Sequence, residues 1–177
     1  DKVAVVHNGI IENNNQLRNQ LIETGVKFSS DTDTEVVCHI ITSYINSGLN
    51  AYEAIRATME DIKGSYAFGV LITSEPDKLF AVRGGSPLAI GSTEGENYIG
   101  SDTYSLSAYS DNITYLKDGD IAVIKNKSYE IFDQFNVLVE RKKQSIIESV
   151  SLSEKGIFKH FMSKEIHEQP SVIQDAI

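Results

Sequence analysis

The 177-residue chain predicts an α+β layered domain with mostly antiparallel sheets, and three observations carry that prediction. Apolar residues recur at helical spacing through most of the first third. From Gly64 the period shortens to that of strands. The strand-like runs then follow one another too closely for the long crossovers that parallel pairing needs. Helices first and a meander afterwards indicate segregated layers, not a doubly wound sheet.

In chain order, Val3-Ala4-Val5-Val6 reads as a buried strand that stops at a His7-Asn8-Gly9 turn and hands over to a helix. In the stretch 13–25, Leu17, Leu21 and Ile22 share a helical face, and Gly25 ends it. Thr32-x-x-Glu35 has the pattern of a capping box and should start the next helix. Val36, Val37, Ile40, Ile41, Tyr44 and Ile45 form the clearest apolar stripe in the chain, closed by Gly48. A third helix is expected over 49–61, with Ala51, Ala54, Ile55, Thr58 and Met59 on its inner side.

Runs rich in β-branched and aromatic residues follow at 65–73, 79–83, 87–91, 97–101, 113–116, 120–124 and 128–132. A helical turn interrupts them at 103–109, and Gly84-Gly85-Ser86 reads as a hairpin turn. The stretch 135–143 is expected as a last strand, its exposed end marked by Glu140-Arg141-Lys142-Lys143, before a surface loop at 144–155. From Ile157 the pattern is helix, break at Gln169-Pro170, helix. A boundary near Met162 divides the chain into 1–162 and 163–177.

A net charge of -9 and a pI near 4.9 speak against nucleic acid as a partner, which would need a basic face. No apolar run approaches the roughly 18 residues of a membrane-spanning helix, so no membrane association is expected. The single cysteine, Cys38, leaves no internal disulfide and points to the reducing cytoplasm. It lies on the edge of an apolar helical stripe, where a cysteine is ordinarily a small core residue, not a nucleophile. His160 and His167 are seven apart, whereas a helical metal pair needs three or four, so they read as surface residues. The start at Asp1, within two residues of an apolar strand, and the stop at Ile177 inside a helical pattern give the expectation of a fragment.

The chemically suggestive pair is Asn8-Gly9. An Asn amide beside a Gly N–H places two neutral donors in one small space, the requirement of an oxyanion hole. Asn-Gly is also the commonest tight-turn dipeptide, and the pair alone does not separate the two readings. Asp33 at a helix start likewise admits a bland role, complementing the helix dipole.

Several segments together carry a specific resemblance: Val6-His7-Asn8-Gly9-Ile10-Ile11-Glu12-Asn13, Ser30-Asp31-Thr32-Asp33-Thr34-Glu35-Val36, Lys63-Gly64-Ser65-Tyr66-Ala67, Arg83-Gly84-Gly85-Ser86-Pro87-Leu88 and Lys164-Glu165-Ile166-His167-Glu168-Gln169-Pro170. The chain resembles the glutaminase (class II glutamine amidotransferase) domain of the glutamine–fructose-6-phosphate aminotransferases over essentially its whole length. The resemblance implies an αββα sandwich of the N-terminal-nucleophile hydrolase type, incomplete here at the N-terminus. It implies a glutaminase that releases ammonia from glutamine for an attached isomerase domain acting on fructose 6-phosphate, in amino sugar biosynthesis. It also implies a homo-oligomer, and neither metal nor organic cofactor in this half.

Residue by residue, the resemblance implies that Asn8 and Gly9 form the oxyanion hole. Asp33 would pair with the α-ammonium of substrate glutamine, and His7 receives no catalytic role. The family's opening Cys-Gly-Ile-Val and its Arg-Trp-Ala-Thr-His-Gly segment are absent from these 177 residues, so the chain alone is expected to be inactive. Two other readings stay open: a class II amidotransferase of the purine or asparagine type, and a non-catalytic regulatory domain on the same scaffold.

Overall fold

A computed structural model describes residues 2–146 and 159–175. Strand β1 (Val3–Ile11) leads into helices α1 (Asn14–Glu23), α2 (Asp33–Asn46) and α3 (Ala51–Asp61). Strands β2 (Gly64–Ile72), β3 (Leu79–Gly84), β4 (Ala89–Ser92) and β5 (Asn97–Gly100) follow, then the short helix α4 (Thr103–Leu106). Strands β6 (Asn112–Tyr115), β7 (Ile121–Ile124), β8 (Tyr129–Phe132), β9 (Leu138–Val139) and β10 (Lys143–Ser145) precede the last helix, α5 (Phe161–Asp175).

The strands form two sheets, a six-stranded one in the order β1-β2-β3-β7-β8-β9 and a four-stranded one in the order β10-β6-β4-β5. Every pairing among the described residues is antiparallel, as short connections require. The stripe of α2 buries Val36, Val37, Ile40 and Ile41 against Ile11, Phe68 and Val70 of the large sheet. Ala67, Ala81, Ile90, Leu116 and Ile131 fill the space between the sheets. Beyond the small sheet, Leu106 of α4 packs on Ala89, Ile113 and Ile146. The layers therefore run helix, sheet, sheet, helix. Each fully buried aliphatic side chain contributes about 1.5–3 kcal/mol, so the stripe of α2 is what clamps that helix across β1 and β2.

The structure departs from the sequence reading at several points. No turn occurs at His7-Asn8-Gly9: β1 runs straight through to Ile11, nine residues paired in register with β2. Gly9 makes this possible, because at φ +135° the place of a β-carbon is taken by the Ser65 carbonyl oxygen, 2.0 Å away.

The capping box at Thr32 is not made. Thr32 caps no backbone N–H of α2, and Glu35 reaches back to the N–H groups of Ser29 and Ser30 instead. A reciprocal box does form at α3, between Asn50 and Glu53.

Gly84-Gly85-Ser86 is not a hairpin turn, since β3 and β4 belong to different sheets. The expected strand over 135–143 is two short ones in different sheets. Asp133 Oδ1 accepts from the N–H groups of Phe135 and Val137, both at 2.9 Å, and winds that stretch into a turn. Nor is the charged run 140–143 simply an exposed end: Arg141 donates from Nε and Nη2, at 2.9 and 2.7 Å, to the fully buried carboxylate of Asp120. The loop expected at 144–155 begins as strand, with Ile146 buried; its remainder lies outside the described residues. Helix α5 runs through Pro170 without the expected break, because a proline costs a helix one backbone donor, not all of them.

Candidate functional site

The site is organised by the edge of β1, which among the described residues has a strand neighbour on one side only. Glu12 N–H points toward β2 and donates to the Lys63 carbonyl at 2.8 Å. Ile11 N–H points the other way and donates to Asp33 Oδ2 at 2.9 Å. Backbone groups two residues apart along a strand point to the same side. The Gly9 N–H therefore faces the same open edge at which the Asp33 carboxylate hangs.

Side chains alternate across the strand. Val5, His7 and Ile11 face α2, whereas Val6 and Asn8 face the small sheet. Asn8 lines an open groove of about 290 Å³ with Val6, Ala67, Leu88, Ile99 and Ser101. Asp33 is not in that groove. The structure thus brings Gly9 and Asp33 to one edge, while Asn8 borders that edge from the opposite face of β1.

Asp33 is placed by its neighbours. Arg18 on α1 donates to the carbonyls of Ser30 and Thr32, both at 2.9 Å, with its guanidinium 4.1 Å above the Phe28 ring. Glu35 accepts from the backbone and hydroxyl groups of Ser29 and Ser30, and these bonds hold its carboxyl down to about 2. The loop entering α2 is thus pinned from both ends, and Asp33 follows it as the first helical residue. His7 Nδ1 lies 3.1 Å from Thr34 Oγ1 and 3.6 Å from Asp33 Oδ1. Burial pushes the His7 imidazole below its ordinary value, against the opposing pull of Asp33.

Sequence reasoning missed Arg18 as an anchor and undervalued His7 and Glu35. The Arg18–loop contacts join residues 12 and 14 apart, with no motif to announce them. Cys38 is half-buried, its thiol pushed up by burial, and opens on a separate groove with Glu35 and His39. Among the described residues no group of three or more His, Cys, Asp or Glu side chains is arranged to hold a metal ion. None of the described helices is long and apolar enough to cross a membrane.

The family model described as a glutamine amidotransferase domain matches residues 1–108. The chain belongs to that family. The glutamine–fructose-6-phosphate aminotransferase (isomerising) of Rhizobium meliloti (strain 1021) is 47% identical over 175 residues, 99% of this chain. Its counterpart in Acinetobacter baylyi is 46% identical over 175 residues, again 99% of the chain. The chain spans only 29% and 28% of those two relatives. Among solved structures, the glutamine phosphoribosylpyrophosphate amidotransferase of B. subtilis, complexed with ADP and GMP, superposes with a TM-score of 0.59 at 26% identity. It covers 81% of this chain and 29% of the other. A second, the allosteric regulatory enzyme of purine biosynthesis, gives a TM-score of 0.58 at 25% identity over 81% of this chain and 28% of that one. The amidotransferase scaffold, with antiparallel sheets between helical layers, is therefore shared with enzymes whose sequences differ much more than those of the aminotransferases.

Proposed function

We infer that this glutamine amidotransferase domain is the glutaminase half of an enzyme that aminates fructose 6-phosphate. The 46–47% identity to the aminotransferases favours this over the purine type, to which the likeness is 25–26%. Residues 1–162 form the glutaminase unit in this reading, and 163–177 lead toward the isomerase domain. The cytoplasm is its compartment and a homo-oligomer its working state.

In the reaction, a thiol attacks the carbonyl carbon of the glutamine side-chain amide, and the carbonyl π pair moves onto oxygen. The Asn8 amide and the Gly9 N–H steady that oxygen. A donor of this kind is worth about 2.7–4 kcal/mol of barrier. The carbon–nitrogen bond then breaks, nitrogen takes a proton and ammonia leaves, and water later cleaves the thioester. The family's nucleophile, an N-terminal cysteine, is not among these residues, and the half-buried Cys38 with its raised pKa does not replace it.

The observation that supports this reading is the outward turn of Ile11 N–H to Asp33, which puts a carboxylate on the strand edge that the Gly9 N–H also faces. The test is Asp33→Ala in the protein as its gene encodes it. Loss of a hydrogen bond to a charged group, about 1.5–3 kcal/mol, corresponds to a glutamine KM raised roughly 10- to 160-fold. An unchanged KM would remove Asp33 from the site.

A further inference from the structure

His7 is the polar side chain of β1 that the glutaminase reading leaves without a task. Its side chain is 3% exposed. One ring face meets Phe68, with centroids 5.0 Å apart, and Phe68 stacks in turn on Tyr66 at 4.8 Å. Nε2 is buried with no hydrogen-bond partner among the described residues, whereas Nδ1 faces the oxygens of Thr34 and Asp33.

That asymmetry selects the tautomer. A buried N–H without an acceptor is a rarer and costlier defect than a buried lone pair without a donor. The proton therefore belongs on Nδ1. From there it donates to Thr34 Oγ1 at 3.1 Å, which frees the Thr34 hydroxyl to point at Asp33 Oδ1, 3.5 Å away. With Ile11 N–H on Oδ2, the carboxylate is then steadied at both oxygens, and about a quarter of the Asp33 side chain (24%) stays open to solvent.

We propose that His7 is a positioning residue for glutamine: through Thr34 it holds the Asp33 carboxylate toward the open edge of β1, where the substrate ammonium binds. Burial, which disfavours the charged imidazole, keeps His7 neutral in this role. The inference rests on the glutaminase reading, and its consequence is expected in substrate binding because the His7 ring nitrogen faces Thr34 and Asp33 of α2, across β1 from the Asn8 side chain.

The experiment compares His7→Phe, His7→Asn, Thr34→Val and Asp33→Ala in the gene-encoded protein, with glutamine KM and kcat measured separately. His7→Phe keeps a ring against Phe68 and removes both nitrogens; it is expected to raise KM about ten-fold with kcat within about two-fold. His7→Asn, which restores a donor near Nδ1, is expected to recover most of that loss. In the Asp33→Ala background, His7→Phe should add less than about two-fold, because the group it positions is gone. An unchanged KM in His7→Phe, or His7→Asn as defective as His7→Phe, overturns the proposal. Where His7→Phe fails to accumulate as folded protein, Thr34→Val carries the same expectation and the same refutation. If Asp33→Ala itself leaves KM unchanged, the glutaminase reading fails; if it raises KM and His7→Phe does not, only the role of His7 falls.

Discussion

Gly9→Ala is the substitution in which fold and site are most tightly joined. At Gly9 the backbone has φ +135°, a region that costs a residue with a β-carbon about 1–3 kcal/mol. The added carbon would sit 2.0 Å from the Ser65 carbonyl oxygen and 2.8 Å from Tyr66 Cα, where real β-carbons keep at least 3.0 Å. Strands β1 and β2 must therefore separate by about 1 Å at this point, weakening the two ladder hydrogen bonds that flank it. At about 1 kcal/mol each these add about 2 kcal/mol. The total is about 3–5 kcal/mol, which lowers Tm by about 10 °C in a domain of this size.

Gly25→Ala supplies the control. Gly25 also has a positive φ, +91°, but nothing lies within 4 Å of its missing β-carbon, so only the conformational cost of about 1 kcal/mol applies. Urea unfolding followed by circular dichroism measures both variants. The reasoning is refuted if Gly9→Ala costs no more than Gly25→Ala, to within about 0.5 kcal/mol.

Arg141→Met leaves the fully buried Asp120 carboxylate with the Lys117 N–H as its one donor among the described residues, and should cost about 3–5 kcal/mol in urea unfolding. A loss below about 1 kcal/mol would show that the pair contributes little. The hydrogen bonds from Ser30 and Ser29 hold the Glu35 carboxyl down to about 2 from its ordinary 4.5, so their contribution is present above pH 4.5 and is lost as pH falls toward 2. Glu35→Gln should flatten that acid limb, and an NMR titration placing its carboxyl near 4.5 would contradict the bonding to Ser29 and Ser30. Val6, Ile10 and Leu71 are 67%, 65% and 52% exposed along β1 and β2, an apolar strip beside a strand edge with no partner among the described residues. The 177-residue chain should therefore self-associate as concentration rises, and less so as Val6→Thr/Ile10→Thr. A monodisperse monomer in light scattering at every concentration would count against this.

What the sequence by itself determined is the type and order of most elements, not the turns and caps that join them. The stripe Val36–Val37–Ile40–Ile41 announces α2 because a helix repeats every 3.6 residues. The change of period at Gly64 announces the meander because strands repeat every two. The motifs around Asn8, Gly9 and Asp33 pointed to the family before any geometry was available.

What only the tertiary structure decided is which distant groups meet. The ladder with β2 turned an Asn-Gly that reads as a turn into mid-strand. The loop held by Arg18 took Glu35 away from the cap it appeared to complete. Ile11 with Asp33, and Asp120 with Arg141, join residues 22 and 21 apart. Periodicity is a property of neighbours along the chain. The partner of a buried charge or a strand edge depends on how whole elements pack, and that is where Asp33 and His7 acquire their places.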